Sequence, residues 1–174
     1  MNKQELGKAI LKAAYLEGDF TLRSGAKSKY YLDKYLFGTK PEILRAIAKH
    51  IVALLPKDTE YDRLAAPELG AVTLVAAIAM EVNKPFVIVR KGSKDYGTSK
   101  LIEGDIQPGE KIVIVEDILT SGGAALEAAK KLVENDNKVL KVIGIINREQ
   151  GADKNFKEAG FVMDSLFTKT ELGI

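Results

Sequence analysis

The chain has 174 residues, 46% of them hydrophobic and 29% charged, a balance that builds one globular domain with a substantial core and excludes disorder along its whole length. Its 26 Lys and Arg against 24 Asp and Glu leave a net charge of +2, too small a surplus to give an electrostatic reason for a nucleic-acid or membrane partner. With no cysteine and a single histidine, His50, the sequence excludes disulfides, thiolate zinc sites, cysteine nucleophiles and multi-histidine metal sites. Residues 1–6 are polar and charged where a secretory leader is apolar, and no window approaches the roughly 18 apolar residues of a membrane span, so a cytoplasmic location is expected.

In chain order, residues 3–17 place Leu6, Ile10, Ala13, Ala14 and Leu16 at near-helical spacing, which predicts an amphipathic helix stopped by Gly18. Strand-like residues 20–22 and 30–32, with turn chemistry at 24–28 between them, predict a hairpin outside the main sheet. Thr39 and Pro41 fit the cap and first turn of a helix that carries Ile43, Leu44, Ile47, Ile51 and Leu55 on one face and stops at Pro56. His50 sits on that helix and is read as structural.

Beyond it, apolar runs at 64–66, 86–89, 112–115, 139–146 and 161–167 alternate with helical patterns at 71–82, 122–134 and 153–159. Short apolar runs between helices are the signature of parallel strands buried on both faces, so the class is α/β, with a mostly parallel twisted sheet and right-handed crossovers. Ligands of such sheets bind beyond the carboxyl ends of the strands. The expectation is a single domain over 1–174, with 1–38 as a small N-terminal hood of helix plus hairpin, and 39–174 as the core carrying a mobile loop at 91–104.

The segment 112–124 concentrates the chemistry. An apolar strand delivers Glu116 and Asp117 to its carboxyl end, and Ile118, Leu119, Thr120, Ser121, Gly122, Gly123 and Ala124 then lead into a helix. Unpaired N–H groups and the helix macrodipole at that N-terminus favour an anion such as phosphate, and glycine lets the backbone approach it closely. Like charge keeps Glu116 and Asp117 off the phosphate, but as acceptors they suit sugar hydroxyls beside it. Turn capping alone could use the same residues. The string contains neither a P-loop nor a dinucleotide fingerprint.

This string resembles the phosphoribosyl-diphosphate (PRPP) signature of the type I phosphoribosyltransferases. The resemblance implies that fold, with Glu116 and Asp117 on the ribose hydroxyls, residues 120–124 around the 5-phosphate, and Ile118 and Leu119 also on PRPP. Ala124 stands where many members have Ser or Thr, leaving backbone donors to hold the anion.

A second segment, 90–100, follows the strand at 86–89 and places Arg90, Lys91, Lys94 and Lys100 on a glycine-containing stretch able to fold over a polyanion. Its Arg-Lys-x-x-Lys-x-Tyr-Gly pattern, together with residues 20–25, 28–31 and 146–149, resembles the orotate phosphoribosyltransferases, from about residue 18 to 150. That resemblance implies catalytic roles for Arg90, Lys91, Lys94 and Asp117, with Arg90, Lys91, Lys94 and Tyr96 on PRPP. Tyr96 falls where some members have histidine, so no imidazole acid is available there. The turn at 66–71 opens another helix N-terminus, and the resemblance makes Glu68, Leu69 and Gly70 the pyrophosphate loop, without the lysine some members carry in it.

For the base, Arg148 ends the strand at 139–146, and a guanidinium can grip a carboxylate through two parallel hydrogen bonds. A surface ion pair with Glu149 is the alternative. The resemblance assigns Arg23, Tyr30, Tyr31, Thr120 and Arg148 to orotate, Arg23 replacing a lysine of many relatives. It also implies Mg²⁺ held mainly through PRPP and water, no metal site made of protein ligands alone, and a homodimer sharing the mobile loop. The expected reaction joins PRPP to orotate in pyrimidine biosynthesis. A phosphoribosyltransferase for another nucleobase and a non-catalytic PRPP-sensing regulator are the competing readings.

Overall fold

The structure, a computed structural model, describes residues 1–21, 25, 27–92 and 100–174. Asn2 starts the first helix with a reciprocal cap: its side chain accepts from the Glu5 N–H at 2.9 Å while the Glu5 carboxylate accepts from the Asn2 N–H at 2.8 Å. Helix α1 (Lys3–Ala14) buries Leu6, Gly7, Ile10 and Ala14. It ends at Ala14, not at Gly18, because Tyr15 turns into strand β1 (Tyr15–Thr21). Antiparallel pairing with β2 (Lys27–Leu32) wins that segment, with the Tyr15 and Tyr30 rings stacked at 5.3 Å. As expected, the hairpin stands apart from the main sheet.

Asp33 then caps an unexpected helix, α2 (Lys34–Gly38), accepting from the Tyr35 N–H at 3.0 Å. Thr39 ends this helix instead of capping the next, and its hydroxyl donates to the Tyr35 carbonyl at 2.6 Å. Helix α3 (Pro41–Ile51) starts from Lys40 without a side-chain cap, its proline in the first turn. A 3-10 turn, Val52–Leu54, carries the chain on, so the α-helix is shorter than the apolar stripe suggested.

The core follows as β3 (Arg63–Pro67), α4 (Val72–Val82), β4 (Phe86–Val89), β5 (Ile102–Glu103), β6 (Lys111–Leu119), α5 (Gly123–Glu134), β7 (Lys138–Asn147), α6 (Ala152–Glu158), β8 (Met163–Thr168) and α7 (Lys169–Leu172). The six strands lie in the order β5-β4-β3-β6-β7-β8, parallel except for β5, which returns antiparallel along β4. Residues 102–103, expected within the loop, are therefore a strand.

Alternation along β6 divides the core. Val113 and Val115 face the side covered by α1, α3 and α4, whereas Ile112 and Ile114 face α5 and α6. Strands covered on both faces hide their backbones in the sheet and leave only their ends for ligands. No helix among the described residues is long and apolar enough to cross a membrane.

Candidate active site

Strand β6 runs to Leu119, four residues beyond the apolar run, so Glu116 and Asp117 lie inside the strand and are buried. One Glu116 oxygen accepts from the Asp117 N–H at 3.0 Å, and Asp117 Oδ1 accepts from the Ile118 N–H at 2.6 Å. Burial, and then the neighbouring Asp117 charge, push the Glu116 carboxyl up to about 8.

The cation facing this pair is Lys34, whose Nζ lies 2.9 Å from Asp117 Oδ2. Burial works against the ammonium, but the Asp117 and Glu116 charges outweigh it and hold the Lys34 pKa above its ordinary value. Sequence reading missed Lys34, because it treated the hairpin as running straight into the helix at 41. The signal was Asp33, a cap residue directly before it.

Beyond Leu119 the chain turns over 120–122 into α5. Leu119 itself is fully buried, packed so tightly on β7 that a Cβ on Gly144 would lie 2.5 Å from its Cδ1. Gly122 takes a left-handed conformation, φ 79°, where a side chain would be strained and would meet Phe156 Cε2 at 2.5 Å. From α6, Asn155 donates to the Ser121 carbonyl at 2.9 Å. No side chain among the described residues caps α5, so its first-turn N–H groups are left unpaired, and Gly122, Gly123 and Ala124 line the cavity described below.

The turn after β3 comes against the acidic pair. A Cβ on Gly70 would overlap Asp117 Oδ2 and lie 2.7 Å from Lys34 Cε, so only glycine lets this turn pass so close. Glu68 accepts from the Lys91 N–H at 2.7 Å, and its other oxygen is 4.0 Å from Arg90 Nη1. Arg90 Nη1 is also 3.7 Å from Glu103 on β5. Lys131 of α5 donates to the carbonyls of Arg90 and Lys91, at 2.8 Å each, and so fastens this segment to the helix that opens at Gly123. Lys131 was also missed, since a lysine in a helix's last turn reads as an ordinary dipole partner.

Arg148 is buried at the end of β7. One of its Nη atoms donates to the Tyr30 hydroxyl at 2.8 Å, its guanidinium lies 5.2 Å from the Tyr30 ring centre, and its buried Nε has no hydrogen-bond partner among the described residues. Glu149 turns away to accept from the N–H and hydroxyl of Thr170, so the adjacent ion pair weighed from sequence does not form.

These groups share a cavity of about 1040 Å³ that extends from Tyr31 and Lys34 past Glu68 and Gly70 to Arg90, Lys91, residues 116–124, Lys131 and Arg148. Tyr30 and Leu69 are not in its lining: Tyr30 meets Arg148, which is, and Leu69 is 66% exposed. Arg23, Lys94 and Tyr96 lie outside the described residues. The arrangement can hold an anion at a helix N-terminus, accept hydrogen bonds from a diol beside it, and offer cations on either side of both.

Residues 37–165 match the phosphoribosyl transferase domain. The orotate phosphoribosyltransferase of Pyrococcus abyssi (strain GE5 / Orsay) is 41% identical, over 98% of this chain and 94% of its own. Among solved structures, orotate phosphoribosyltransferase of Mycobacterium tuberculosis H37Rv, in complex with Fe(III) dicitrate, superposes with a TM-score of 0.87 at 27% identity, covering 99% of both chains. The complex of that enzyme with PRPP superposes with a TM-score of 0.84 at 25% identity, again over 99% of both chains.

Proposed function

The chain belongs to the phosphoribosyltransferases, among the orotate phosphoribosyltransferases, and from that premise we propose that it transfers the 5-phosphoribosyl group of PRPP to orotate, giving orotidine 5'-monophosphate and pyrophosphate, a step of pyrimidine biosynthesis. The observation that carries the reading is the buried acid pair set directly before the uncapped N-terminus of α5, with Arg148 in the same cavity.

In this reading the N–H groups of 121–124 take the 5-phosphate, aided by the dipole of α5. Glu116 and Asp117 accept from the ribose hydroxyls and fix the anomeric carbon between the two substrates. Transfer breaks the bond from that carbon to a pyrophosphate oxygen, whose electron pair leaves with pyrophosphate, while a ring nitrogen of orotate supplies the pair for the new bond and gives up its proton to the departing pyrophosphate or to water. Positioning and stabilisation of departing charge do the work, so no strong protein nucleophile is required. Arg90 and Lys91, with Lys94, counter the growing charge on pyrophosphate. Arg148, oriented by Tyr30, turns its free Nε toward the orotate carboxylate, and Tyr31 and Thr120 border the base.

Mg²⁺ is the proposed cofactor. Carboxylate oxygens and a diphosphate suit a hard cation that keeps several waters, and when bound it screens the leaving group's charge. A homodimer is proposed as well: α4 is apolar except for Thr73 and Glu81 and leaves Met80 86% exposed, a side chain that a second copy would cover. The place of action is the cytoplasm.

The test is loss of orotate absorbance when PRPP and Mg²⁺ are added, run beside uracil, adenine and guanine. Conversion of orotate alone supports the proposal. Inert orotate with a reacting purine, or nucleic-acid binding with no turnover, refutes it.

A further inference from the structure

Lys34 reaches the cavity from outside the core. It is the first residue of α2, a five-residue helix set by the Asp33 cap, and the Asp33 N–H is itself tied to the Ala14 carbonyl at the end of α1 at 2.9 Å. From there its side chain crosses to the core, with Nζ 2.9 Å from Asp117 Oδ2 and 2.9 Å from the point a Cβ on Gly70 would occupy. The ammonium thus sits between the acid pair and the 67–70 turn. A 5.7 Å approach to the Tyr35 ring adds a weak second attraction on its outer side.

The two partners of this ion pair differ. The Asp117 side chain is 3% exposed and the Lys34 side chain 34%. Asp117 Oδ1 is fixed by the Ile118 N–H, whereas Oδ2, although close to the ammonium, accepts no aligned hydrogen bond among the described residues. Asp117 is therefore held rigidly, while Lys34 has a flexible four-carbon stem and room to move.

We propose that Lys34 is a relay cation: it balances Asp117 while the site is empty and moves to a pyrophosphate oxygen of PRPP when the ribose diol takes its place on Asp117. The inference rests on the PRPP reading above and adds to it a residue contacting the leaving group, supplied by the hood rather than by the core loops. The exchange keeps the buried carboxylate partnered at both stages, which avoids the cost of an uncompensated buried charge. It also places one positive charge beside the 67–70 turn once the sugar is bound.

The experiment compares calorimetric affinities for PRPP and for ribose 5-phosphate, both with Mg²⁺, in the wild type, Lys34→Gln and Lys34→Arg. The ratio of the two affinities isolates the pyrophosphate. Loss of a charge-assisted contact lowers that ratio about tenfold or more in Lys34→Gln, while Lys34→Arg, which keeps charge and reach, restores most of it. In steady-state kinetics the KM for PRPP rises in Lys34→Gln and the KM for orotate stays within about twofold, a split that a purely structural tether does not produce.

An unchanged ratio in a folded Lys34→Gln variant overturns the inference and leaves the functional reading intact. If Lys34→Gln does not fold, the arginine variant decides, and a ratio that falls there as far as tenfold overturns it. A wild type that binds neither ligand sinks the PRPP reading itself, and the inference with it.

Discussion

Glycine at 70 and the acid at 116 each make a demand on the site that a single substitution exposes. A Cβ at position 70 overlaps the Asp117 carboxylate and crowds Lys34. Gly70→Ala is therefore expected to push the turn or the carboxylate out of place, at a cost of about 1–3 kcal/mol. The measurable result is a KM for PRPP raised roughly tenfold or more, together with a lowered melting temperature. An unchanged KM would show that the close approach has no role in binding.

Glu116 gives a pH signature. Burial first, and then the charge of Asp117, raise its folded-state pKa from the ordinary carboxylate range to about 8. A raised acid pKa means that the folded state holds the proton more tightly than the unfolded chain does. Its contribution is complete below the unfolded value and is lost as pH rises toward about 8. Melting temperatures of the ligand-free protein between those limits are expected to fall more steeply in the wild type than in Glu116→Gln. Parallel curves would contradict the assignment.

At the scale of elements, much of the fold was legible. The runs at 64–66, 86–89, 112–115 and 139–146 all became strands of the main sheet, because a strand buried on both faces needs no periodicity beyond continuous apolarity. Boundaries failed where tertiary pairing overrode local pattern. Residues 15–17 fit a helix but joined β1 through cross-strand contacts, and β6 ran on through Glu116 and Asp117 because its pairing with β7 continues to Leu119.

The candidate site was legible in its charged and glycine residues, whose chemistry is local. Lys34 and Lys131 were not, since each acts on a residue far away in the chain. The cap on α2 links the two scales. Asp33→Ala removes the acceptor for the Tyr35 N–H, and the expected loss is about 1 kcal/mol of stability. Because α2 aims Lys34, this variant should also weaken PRPP binding by a smaller factor than Lys34→Gln. Equal affinity to wild type would show that the helix does not set the lysine's position.

Across the whole molecule, the ligand cavity lies at the carboxyl ends of the central strands, while the amino ends of β3 and β6 carry a different device. Arg63 on β3 binds Glu110, just before β6, through two bonds of 2.8 Å. The bond from Arg63 is the largest influence holding the Glu110 carboxyl below its ordinary value. A lowered acid pKa contributes stability above the ordinary carboxylate range and loses it as pH falls through the folded value. Glu110→Gln is expected to lower stability at neutral pH by about 1–3 kcal/mol, with the gap closing in acid and with transfer activity per folded molecule unchanged. A variant that lost activity while keeping its stability would place Glu110 in the site's machinery instead.

The proposed transfer requires the sugar phosphate to sit at the start of α5, and a crystal structure of the protein with PRPP and Mg²⁺ measures that directly. The prediction is 5-phosphate oxygens within hydrogen-bond distance of the amides of 121–124, and the ribose hydroxyls on Glu116 and Asp117. A 5-phosphate bound away from the start of α5, with the acid pair left untouched, would contradict it.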